Sequence, residues 1–440
     1  MFGYYLELAL RSLRRSPGLT ALMVLAIGFG VAATMTTWSV FRAVSGDPIP
    51  WKSSELFVPQ IDMRGPADRG PESEPPDAMD YTDAVALMRD HRAMRQSAIY
   101  AIAPSAMPAG TGRSPIFLNG YAVFSEFFPM LDVPFRYGNG WSAADDARRA
   151  PVAVISDELN DKLFGGANSV GKIVAIDGKA YRIAGVMDDW NPQPIFFDVV
   201  DTGGFGGDGP DVFLPFQQAI AVNMNNSGNN DCPKGALPSE PGFAGLQHSE
   251  CAWIAFMVEL DGTSAVQRFR QYLDDYARDQ LQLGRFHWPP NNRLRSLTAF
   301  LDYEHVVPSD TKVSLLVAVG LLIVCLVNTI GLLLAKFLRR SGEIGVRRAL
   351  GASRSAIRSQ FLIEAAVIGA GGGALGLLLT GVGVVAVHLV LPPRFANLAR
   401  VDVSLLLLAL LVAVAATLLA GVYPAFRAAR VQPGWQLKTN

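Results

Sequence analysis

Long apolar runs divide the chain into a short N-terminal part, a large middle part and a C-terminal third. The first run, Ser16 to Phe41, contains no charged residue, and three further runs follow the middle part. About 20 consecutive apolar residues suffice for a helix to cross a bilayer. The pattern therefore predicts four transmembrane helices, assigned to residues 16–45 (ending in a short stalk), 313–335, 365–391 and 403–426.

Residues 1–15 have the pattern of an amphipathic helix. Leu6 and Leu10 share one helical face, while Arg11 and Arg14 lie on the other. Such a helix lies in the plane of the membrane interface. A cleaved signal peptide is the alternative, but the apolar run that follows is too long for a signal-peptide core and lacks a good small-residue cleavage site.

Residues 46–312 have the mixed composition of a water-exposed domain, and no stretch in them is apolar enough to cross a membrane. Strand and helix patterns at its two ends, 55–102 and 252–301, predict one α+β subdomain formed from both. Residues 114–216 between them are richer in short strand patterns, which predicts a β-rich insert. The predicted fold class is an α-helical membrane protein with four transmembrane helices and a large extracytoplasmic α+β domain.

Composition and charge support a membrane protein. Half of the 440 residues are hydrophobic and 18% are charged, which is too apolar for a soluble enzyme of this length. The net charge of −1 gives no sign of the basic face that nucleic-acid binding requires. The long apolar runs make membrane lipids the expected surroundings. Lys and Arg are enriched in cytoplasmic segments. This rule places residues 1–15, 336–364 and 427–440, and with them both termini, on the cytoplasmic side.

The segment 336–364 is unusually basic and has helical spacing of its apolar residues. Two functions are open for it: an anchor that sets the topology, or a docking surface for a soluble partner. We expect Arg347 and Arg348 to face such a partner rather than lipid. The arginines of the segment are Arg339, Arg340, Arg347, Arg348, Arg354 and Arg358.

Small residues and one amide stand out within the predicted spans. Gly369, Gly372, Gly373 and Gly376 form small-x-x-x-small pairs, which allow helix backbones to approach closely. They serve either packing within one bundle or a contact needed for motion. Asn328 is a polar group at membrane depth, and we expect it to hydrogen-bond across helices, plausibly at a subunit interface.

Two of the three cysteines lie in a polar segment, and the third lies in an apolar run. If Cys232 and Cys251 face an oxidising compartment, they are expected to form a disulfide, which would stabilise the fold by about 3 kcal/mol. Two free thiols are the alternative. Cys325 is expected to act as a small hydrophobic residue.

No motif in the sequence predicts catalysis by this chain. The segment GANSVGKI at residues 166–173 nearly matches a phosphate-binding loop, but Ile173 has no hydroxyl for magnesium and the segment lies in the extracytoplasmic region. The histidines and cysteines do not have the spacing of metal ligands. We therefore expect neither an enzyme nor a metal site.

Several stretches together resemble a known family. The segment EIGVRRALGASRSAIRSQFLIEA with the ending YPAFRAARVQPGWQLK, and GYAVFSEFFPMLDVPFRYGNGW in the middle part, resemble the MacB/FtsX-like permeases of the type VII ABC superfamily. The likeness covers nearly the whole chain, and the order of one span, a large external domain and three spans is also that of the family. It implies a location in the bacterial inner membrane, a periplasmic domain and a porter-like α+β subdomain.

The resemblance also implies partners. A second permease, identical or different, would form a dimer with this one, and cytoplasmic ABC ATPase subunits would bind ATP and magnesium, leaving no cofactor in this chain. A periplasmic adaptor and an outer-membrane channel are further expected partners. The residues that would contact the ATPase are Glu343, Ile344, Gly345, Arg347, Arg348, Leu350 and Gly351.

The sequence departs from the best-known members of this family. It shows no fused ATPase domain, which implies a separate ATPase chain, and the loop 217–251 is an added feature. The expected function is ATP-driven export of a peptide, antibiotic or other amphiphile through movement of the periplasmic domain. The alternatives are a mechanotransmitter that releases lipoproteins or activates a cell-wall hydrolase, and a membrane sensor without transport.

Overall fold

A computed structural model describes residues 2–70, 73–108, 114–204, 209–233, 238–307, 309–390 and 403–429. The chain divides into two compact units. We call Met1–Ser45 with Pro308–Asn440 the helical unit, and Gly46–Val307 the sheet unit. The predicted loop at 392–402 and most of the predicted tail at 427–440 lie outside the described residues.

The helices, in chain order, are α1 (Phe2–Arg15), α2 (Pro17–Ser45), α3 (Tyr81–Asp90), α4 (Phe127–Met130), α5 (Ala143–Ala147), α6 (Asp157–Phe164), α7 (Val199–Thr202), α8 (Phe216–Ala221), α9 (Gly242–Gln247), α10 (Gly262–Gln282), α11 (Leu297–Tyr303), α12 (Ser309–Arg339), α13 (Ser341–Ala349), α14 (Arg354–Val390) and α15 (Val403–Ala429).

Four helices of the helical unit have the length and composition of membrane spans, as far as the chain is described. The candidate spans are Pro17–Arg42, Thr311–Arg339, Arg354–Ala386 and Leu406–Ala429. Together with the large sheet unit they confirm the predicted fold class. The helices around 336–364 are longer than predicted: α12 continues to Arg339, and α14 begins at Arg354. The predicted cytoplasmic segment is thus the two helix ends with α13 between them.

α14 lies at the centre of the helical unit and packs against both α2 and α15. Its glycines make these contacts close. A Cβ atom at Gly372 would lie 2.7 Å from Ile27 of α2, and one at Gly376 would lie 3.0 Å from Val31. Gly369 and Gly373 instead face α15, where a Cβ atom at Gly373 would lie 3.0 Å from Ala413. All four glycines therefore sit at helix contacts within this chain.

Asn328 does not make the expected hydrogen bond within its own chain. Its side chain is exposed on α12, and no bond joins it to another described residue. The neighbouring Thr329 is buried instead, and its hydroxyl donates to the Cys325 carbonyl oxygen at 2.8 Å. A helix hydroxyl can satisfy itself in this way because the carbonyl four residues earlier lies within reach.

The sheet unit is built on one sheet. Its strands are β1 (Leu56–Gln60), β2 (Arg95–Ile102), β3 (Ser105–Met107), β4 (Ile116–Phe117), β5 (Gly120–Val123), β6 (Phe135–Gly138), β7 (Val152–Ile155), β8 (Ile173–Ile176), β9 (Lys179–Met187), β10 (Val212–Pro215), β11 (Ala255–Glu259) and β12 (Arg293–Ser296).

The described strands follow the order β12-β1-β11-β2-β5-β10-β7-β9-β8-β3-β4, with β6 paired to β9. The pairs β5 with β10 and β7 with β9 are parallel. β2 pairs with β5 from Ile99 opposite Val123 to Ile102 opposite Gly120. The strands of the predicted insert at 114–216 therefore continue the sheet that the two ends of the domain begin.

Both faces of the sheet are buried, as the alternation of residues along its strands requires. On β2, Ala98 and Tyr100 belong to one hydrophobic core, while Ile99 belongs to the other. On β10, Leu214 belongs to the core of Ala98 and Tyr100, and Phe213 belongs to the core of Ile99. The sheet unit is thus a layered α/β body with a core on each side.

Two carboxyl groups share a partly buried position near the end of the sheet unit. Burial raises the pKa of Glu304 to about 7, and the nearby Asp77 adds repulsion. A carboxyl whose pKa is raised on folding holds its proton more tightly in the folded state. Its contribution to stability is complete below the unfolded pKa, about 4.3, and is lost as the pH rises through about 7.

We expect Glu304→Gln to weaken this pH dependence. The neutral amide keeps the shape of the protonated carboxyl, so the variant should lose less stability than the wild type between about pH 5 and pH 8, by on the order of 1 kcal/mol. Thermal unfolding of the full chain in detergent measures the difference. The exposed Glu158→Gln is the control, and an unaltered pH profile in Glu304→Gln would contradict the assignment.

Candidate functional site

α13 is a short helix between two candidate spans, and its sequence fits that place. Glu343 lies in its first turn, and Arg347 and Arg348 lie in its last turn, which is the favourable arrangement for the helix dipole. Ile344 and Gly345 are buried. Gly351 follows with a φ of +98°, a conformation that suits glycine and lets the chain turn into α14.

A buried carboxylate joins three helices beside α13. Glu364 of α14 is fully buried, and Lys336 Nζ of α12 lies 2.5 Å from its Oε1 atom. The Ser12 hydroxyl of α1 donates to the same oxygen at 2.6 Å. Arg340 donates to Ser12 Oγ at 2.6 Å and to Glu364 Oε2 at 3.4 Å. We call Ser12, Lys336, Arg340 and Glu364 the Glu364 network.

A second carboxylate connects this network to α13. Glu343 accepts hydrogen bonds from Arg340 at 3.2 and 3.3 Å, and Arg347 lies 2.7 Å from it. Arg347 also donates to Gln360 Oε1 of α14 at 3.0 Å, and Arg15 of α1 lies 3.9 Å from Glu343. Charged contacts therefore attach α13 to its neighbours on both sides.

Apolar side chains fill the space beneath these charges. The rings of Phe337 and Phe361 lie with their centroids 4.0 Å apart, and Ile344 and Ile357 belong to the same core. Burying a side chain of this size contributes about 2 kcal/mol. The inner face of α13 is thus held by both packing and ion pairs.

The outer face of α13 is apolar and unpartnered among the described residues. Val346 is 55% exposed and Leu350 is 83% exposed. Gly351 is also exposed. A soluble partner that contacts α13 would therefore meet these side chains first.

The two arginines make contacts inside the chain and are partly exposed, so their predicted contact with a soluble partner stays a prediction. Arg347 is bound to Glu343 and Gln360, and Arg348 donates to the Ala429 carbonyl oxygen at 3.4 Å. Both side chains serve contacts inside the chain because a carboxylate lies one helical turn before Arg347 and the end of α15 lies beside Arg348. Of the predicted contact residues, Leu350 and Gly351 are exposed, whereas Ile344 and Gly345 are buried.

Sequence reasoning missed the Glu364 network. Lys336 and Glu364 are the end residues of the predicted cytoplasmic segment 336–364, and no pairing was predicted for them or for Ser12. An unpaired charge is costly at the edge of a membrane span, so a lysine and a glutamate at adjacent span ends were the available signal. The pairing of Ser12 with Glu364, 352 residues away, left no trace in local pattern.

The sheet unit contains the predicted disulfide and a second cluster of charge. Cys232 and Cys251 are bonded, as predicted. Next to Cys251, Glu250 Oε2 accepts from Arg285 at 2.9 Å, and the same guanidinium pairs with Asp80 and Asp83. Burial, with repulsion from Asp83, raises the pKa of Asp80 well above its usual range. The cluster anchors the disulfide-closed loop to the start of α3.

The described residues contain no group of three or more His, Cys, Asp or Glu side chains placed to hold a metal ion. The segment that resembles a phosphate-binding loop forms the turn between α6 and β8. The candidate functional site is therefore the α13 region with the Glu364 network.

Comparison with known proteins gives two family matches. Residues 20–276 match the model of the MacB-like periplasmic core domain, and residues 315–433 match the FtsX-like permease C-terminal. A macrolide export ATP-binding/permease protein MacB of Azoarcus sp. (strain BH72) is 26% identical over 97% of this chain and 58% of its own length. An uncharacterised ABC transporter permease, YvrN of Bacillus subtilis (strain 168), is 24% identical over 71% of this chain and 68% of its own length.

The chain spans about three fifths of the length of the MacB relatives that it matches over nearly its whole extent. Among solved structures, the periplasmic region of MacB from Actinobacillus actinomycetemcomitans is similar at 13% identity. That match has a TM-score of 0.36 and covers 58% of this chain and 94% of the other.

We expect Glu364→Gln to destabilise the helical unit. The amide leaves Lys336 without its counter-charge in a buried position, while Arg340 keeps Glu343, and the loss should cost about 3 kcal/mol. Thermal unfolding in detergent measures the loss. Glu7→Gln, which removes an exposed ion pair with Arg11, is the matched control and should change little.

A double-mutant cycle separates the ion pair from simple loss of packing. Lys336→Met combined with Glu364→Gln should cost less than the sum of the two single changes, because neither charge is then left unpaired. Additive costs would show that the two residues do not act together.

Proposed function

Because the chain belongs to the family of permeases with a MacB-like periplasmic core domain, we propose that it is the permease component of an ABC transporter. In this proposal, ATP hydrolysis by an ABC ATPase drives movement of the periplasmic sheet unit. The α13 end of the helical unit faces the cytoplasm of a bacterium, and the protein lies in the inner membrane with both termini inside.

The observation that carries this proposal is the construction of α13. Its inner face is fixed to α1 and α14 through Glu343, Arg347 and Gln360, while Val346 and Leu350 project outward. Exposed apolar side chains next to charged ones can form the centre of a protein contact with a polar rim. The ATPase would bind this outer face, and force on it would pass directly into the charged contacts of the inner face.

Chain connectivity then gives the route to the sheet unit. The Glu364 network holds α12 and α14 together at the end near α13. α12 is one continuous helix from Ser309 to Arg339, and it begins two residues after Val307, where the sheet unit ends. Rigid secondary elements are one physical means by which displacement passes between two sites.

The described spans do not offer a charged path for a substrate. Their charged residues lie toward the span ends. The hydroxyls of Thr329, Thr380 and Thr417 each donate to a carbonyl of their own helix, and Thr34 donates both to Gly30 of its own helix and to Ala318 of α12. Transport routes through membrane bundles are usually marked by ionisable or polar residues within the spans. This supports work performed by the periplasmic unit rather than passage through the bundle.

The proposed cargo is an amphiphile, antibiotic or peptide, since a similar protein is named a macrolide exporter. ATP and magnesium would be bound by the ATPase, and a second permease, an adaptor and an outer-membrane channel would complete the machine. The same uncharged spans also favour a second candidate, a mechanotransmitter whose periplasmic unit acts on a lipoprotein or a cell-wall hydrolase.

The test changes the outer face of α13. We expect the Val346→Asp/Leu350→Asp variant to insert and fold normally. The amount of ATPase that copurifies with it in mild detergent should be at least tenfold lower than with the wild-type chain. Two new charges on a desolvated apolar contact are costly. Immunoblotting of the copurified ATPase and its hydrolysis rate are the measurements.

Leu283→Asp is the control, because Leu283 is equally exposed but lies in the sheet unit. It should leave the bound ATPase unchanged. If the α13 variant keeps wild-type copurification and wild-type hydrolysis, or if no ATPase copurifies with the native chain, the proposed coupling is wrong.

A further inference from the structure

An open pocket of about 580 Å³ is built only from residues of the sheet unit. Its walls come from α3, from the chain between β5 and α4, from α5 and from the start of α8. Sites for small molecules usually measure about 300 to 1,000 Å³. The pocket therefore has the size of a ligand site, and nothing in the proposed coupling uses it.

One side of the pocket is apolar. Val85 and Met88 are half-buried and lie one turn apart on α3. Phe124, just before α4, is half-buried as well, and its ring stacks on that of Phe216 with the centroids 5.2 Å apart. The other apolar lining residues are Ala143 and Ala147 of α5. Together these side chains offer apolar surface to an aliphatic chain.

Both carboxylates of the pocket are held by donors of the protein. Glu126 Oε1 lies 2.8 Å from His91 Nε2, and its other oxygen accepts from a backbone nitrogen of β2 at 2.8 Å. Asp146 Oδ2 accepts from the Ser125 backbone nitrogen at 2.7 Å, and its Oδ1 accepts from Trp141 Nε1 at 2.8 Å. Every carboxylate oxygen of the pocket thus has a partner inside the protein.

The two arginines of the pocket are not matched in this way. Arg149 makes no ion pair and no side-chain hydrogen bond with any residue that the structure describes. Arg89 donates through Nε to Asp90 at 3.1 Å, and its two terminal nitrogens have no described partner. The remaining polar lining residue is Gln217. Two guanidinium groups with free donors therefore border the apolar side.

The backbone at Arg149 is a second observation. Arg149 follows α5 with a φ of +52°, and its backbone nitrogen donates to the Asp146 carbonyl oxygen at 3.0 Å. Glycine is the usual residue where a helix ends in this left-handed conformation, because a Cβ atom makes the conformation less favourable. An arginine here is unfavourable for the local backbone, which points to a role for its side chain.

We propose that this pocket binds a small anionic amphiphile, namely a carboxylate on a medium-length aliphatic chain. Arg149 and Arg89 receive the carboxylate, since a guanidinium offers planar, paired donors for charge-assisted hydrogen bonds. The chain lies against Val85, Met88 and Phe124. A cation is disfavoured, because the two acids are already bonded within the protein and the arginines repel it.

The test titrates sodium hexanoate into the full chain in nanodiscs of zwitterionic lipid. Hexanoate is chosen because its short chain leaves most of it in water. Saturation-transfer NMR follows binding, with empty nanodiscs as the blank, and we expect a Kd on the order of 1 mM for a ligand of this size. 1-Hexanol and n-hexylammonium chloride lack the anion, and sodium acetate lacks the chain. Each should bind at least tenfold more weakly.

Two variants locate the site. Arg89→Gln/Arg149→Gln should weaken hexanoate binding at least tenfold. Ala147→Phe fills the apolar side without changing the charge and should weaken it at least fivefold. All three side chains are exposed, so both variants should fold. Arg182→Gln/Arg270→Gln, which removes two exposed arginines of the same unit outside the pocket, is the matched control and should bind as the wild type does.

Four results would overturn the proposal. Equal binding of 1-hexanol would show an apolar groove without charge selectivity, and equal binding of acetate would show an anion contact without the apolar side. Tighter binding of n-hexylammonium would show that the carboxylates dominate. Undiminished hexanoate binding in both variants would place it elsewhere on the protein. No ATPase is present in this assay, so its outcome is independent of the proposed coupling.

Discussion

The helical unit depends on the neutralisation of one buried carboxylate. Glu364 is fully enclosed by protein, and a carboxylate in that position is stable only with cations and donors in good geometry. Lys336, Arg340 and Ser12 supply them from α12, the turn before α13 and α1. Because all of them meet at one carboxylate, displacing any one of these elements removes a cation or a hydrogen-bond donor from it. The elements at this end therefore favour one shared arrangement over a range of intermediate ones.

Close packing extends this constraint along the bundle. Gly372 and Gly376 bring α14 against α2, and Gly369 and Gly373 bring it against α15. Interfaces with so little free space resist sliding by small amounts, since any side chain added there would collide with the neighbour. The helices of the unit are thereby held at fixed distances from one another. This property suits a permease that passes mechanical work to a periplasmic unit.

The sequence predicted the spans, the disulfide and the large domain, because each leaves a local signal. Span length follows from apolar runs, and Cys232 and Cys251 were the two cysteines in a polar segment. The order of the strands could not be predicted, because β2 pairs with both β5 and β11, and β11 lies far from β2 in the chain. At the candidate site, the segment around α13 was predicted from the sequence. Which of its side chains contact the rest of the chain was not. Arg347 looked like a surface charge because its partners, Glu343 and Gln360, become neighbours only when α13 folds against α14.

The sheet unit has a continuous internal framework. Its strands form a continuous sheet with a hydrophobic core on each face, so bending the sheet would disturb both cores together. Its irregular loop is closed by the Cys232–Cys251 bond and anchored by Glu250 to Arg285, which also holds Asp80 and Asp83 at the start of α3. One guanidinium therefore serves the loop and the start of the helix together, so loss of Arg285 would leave Glu250, Asp80 and Asp83 without their counter-charge at the same time.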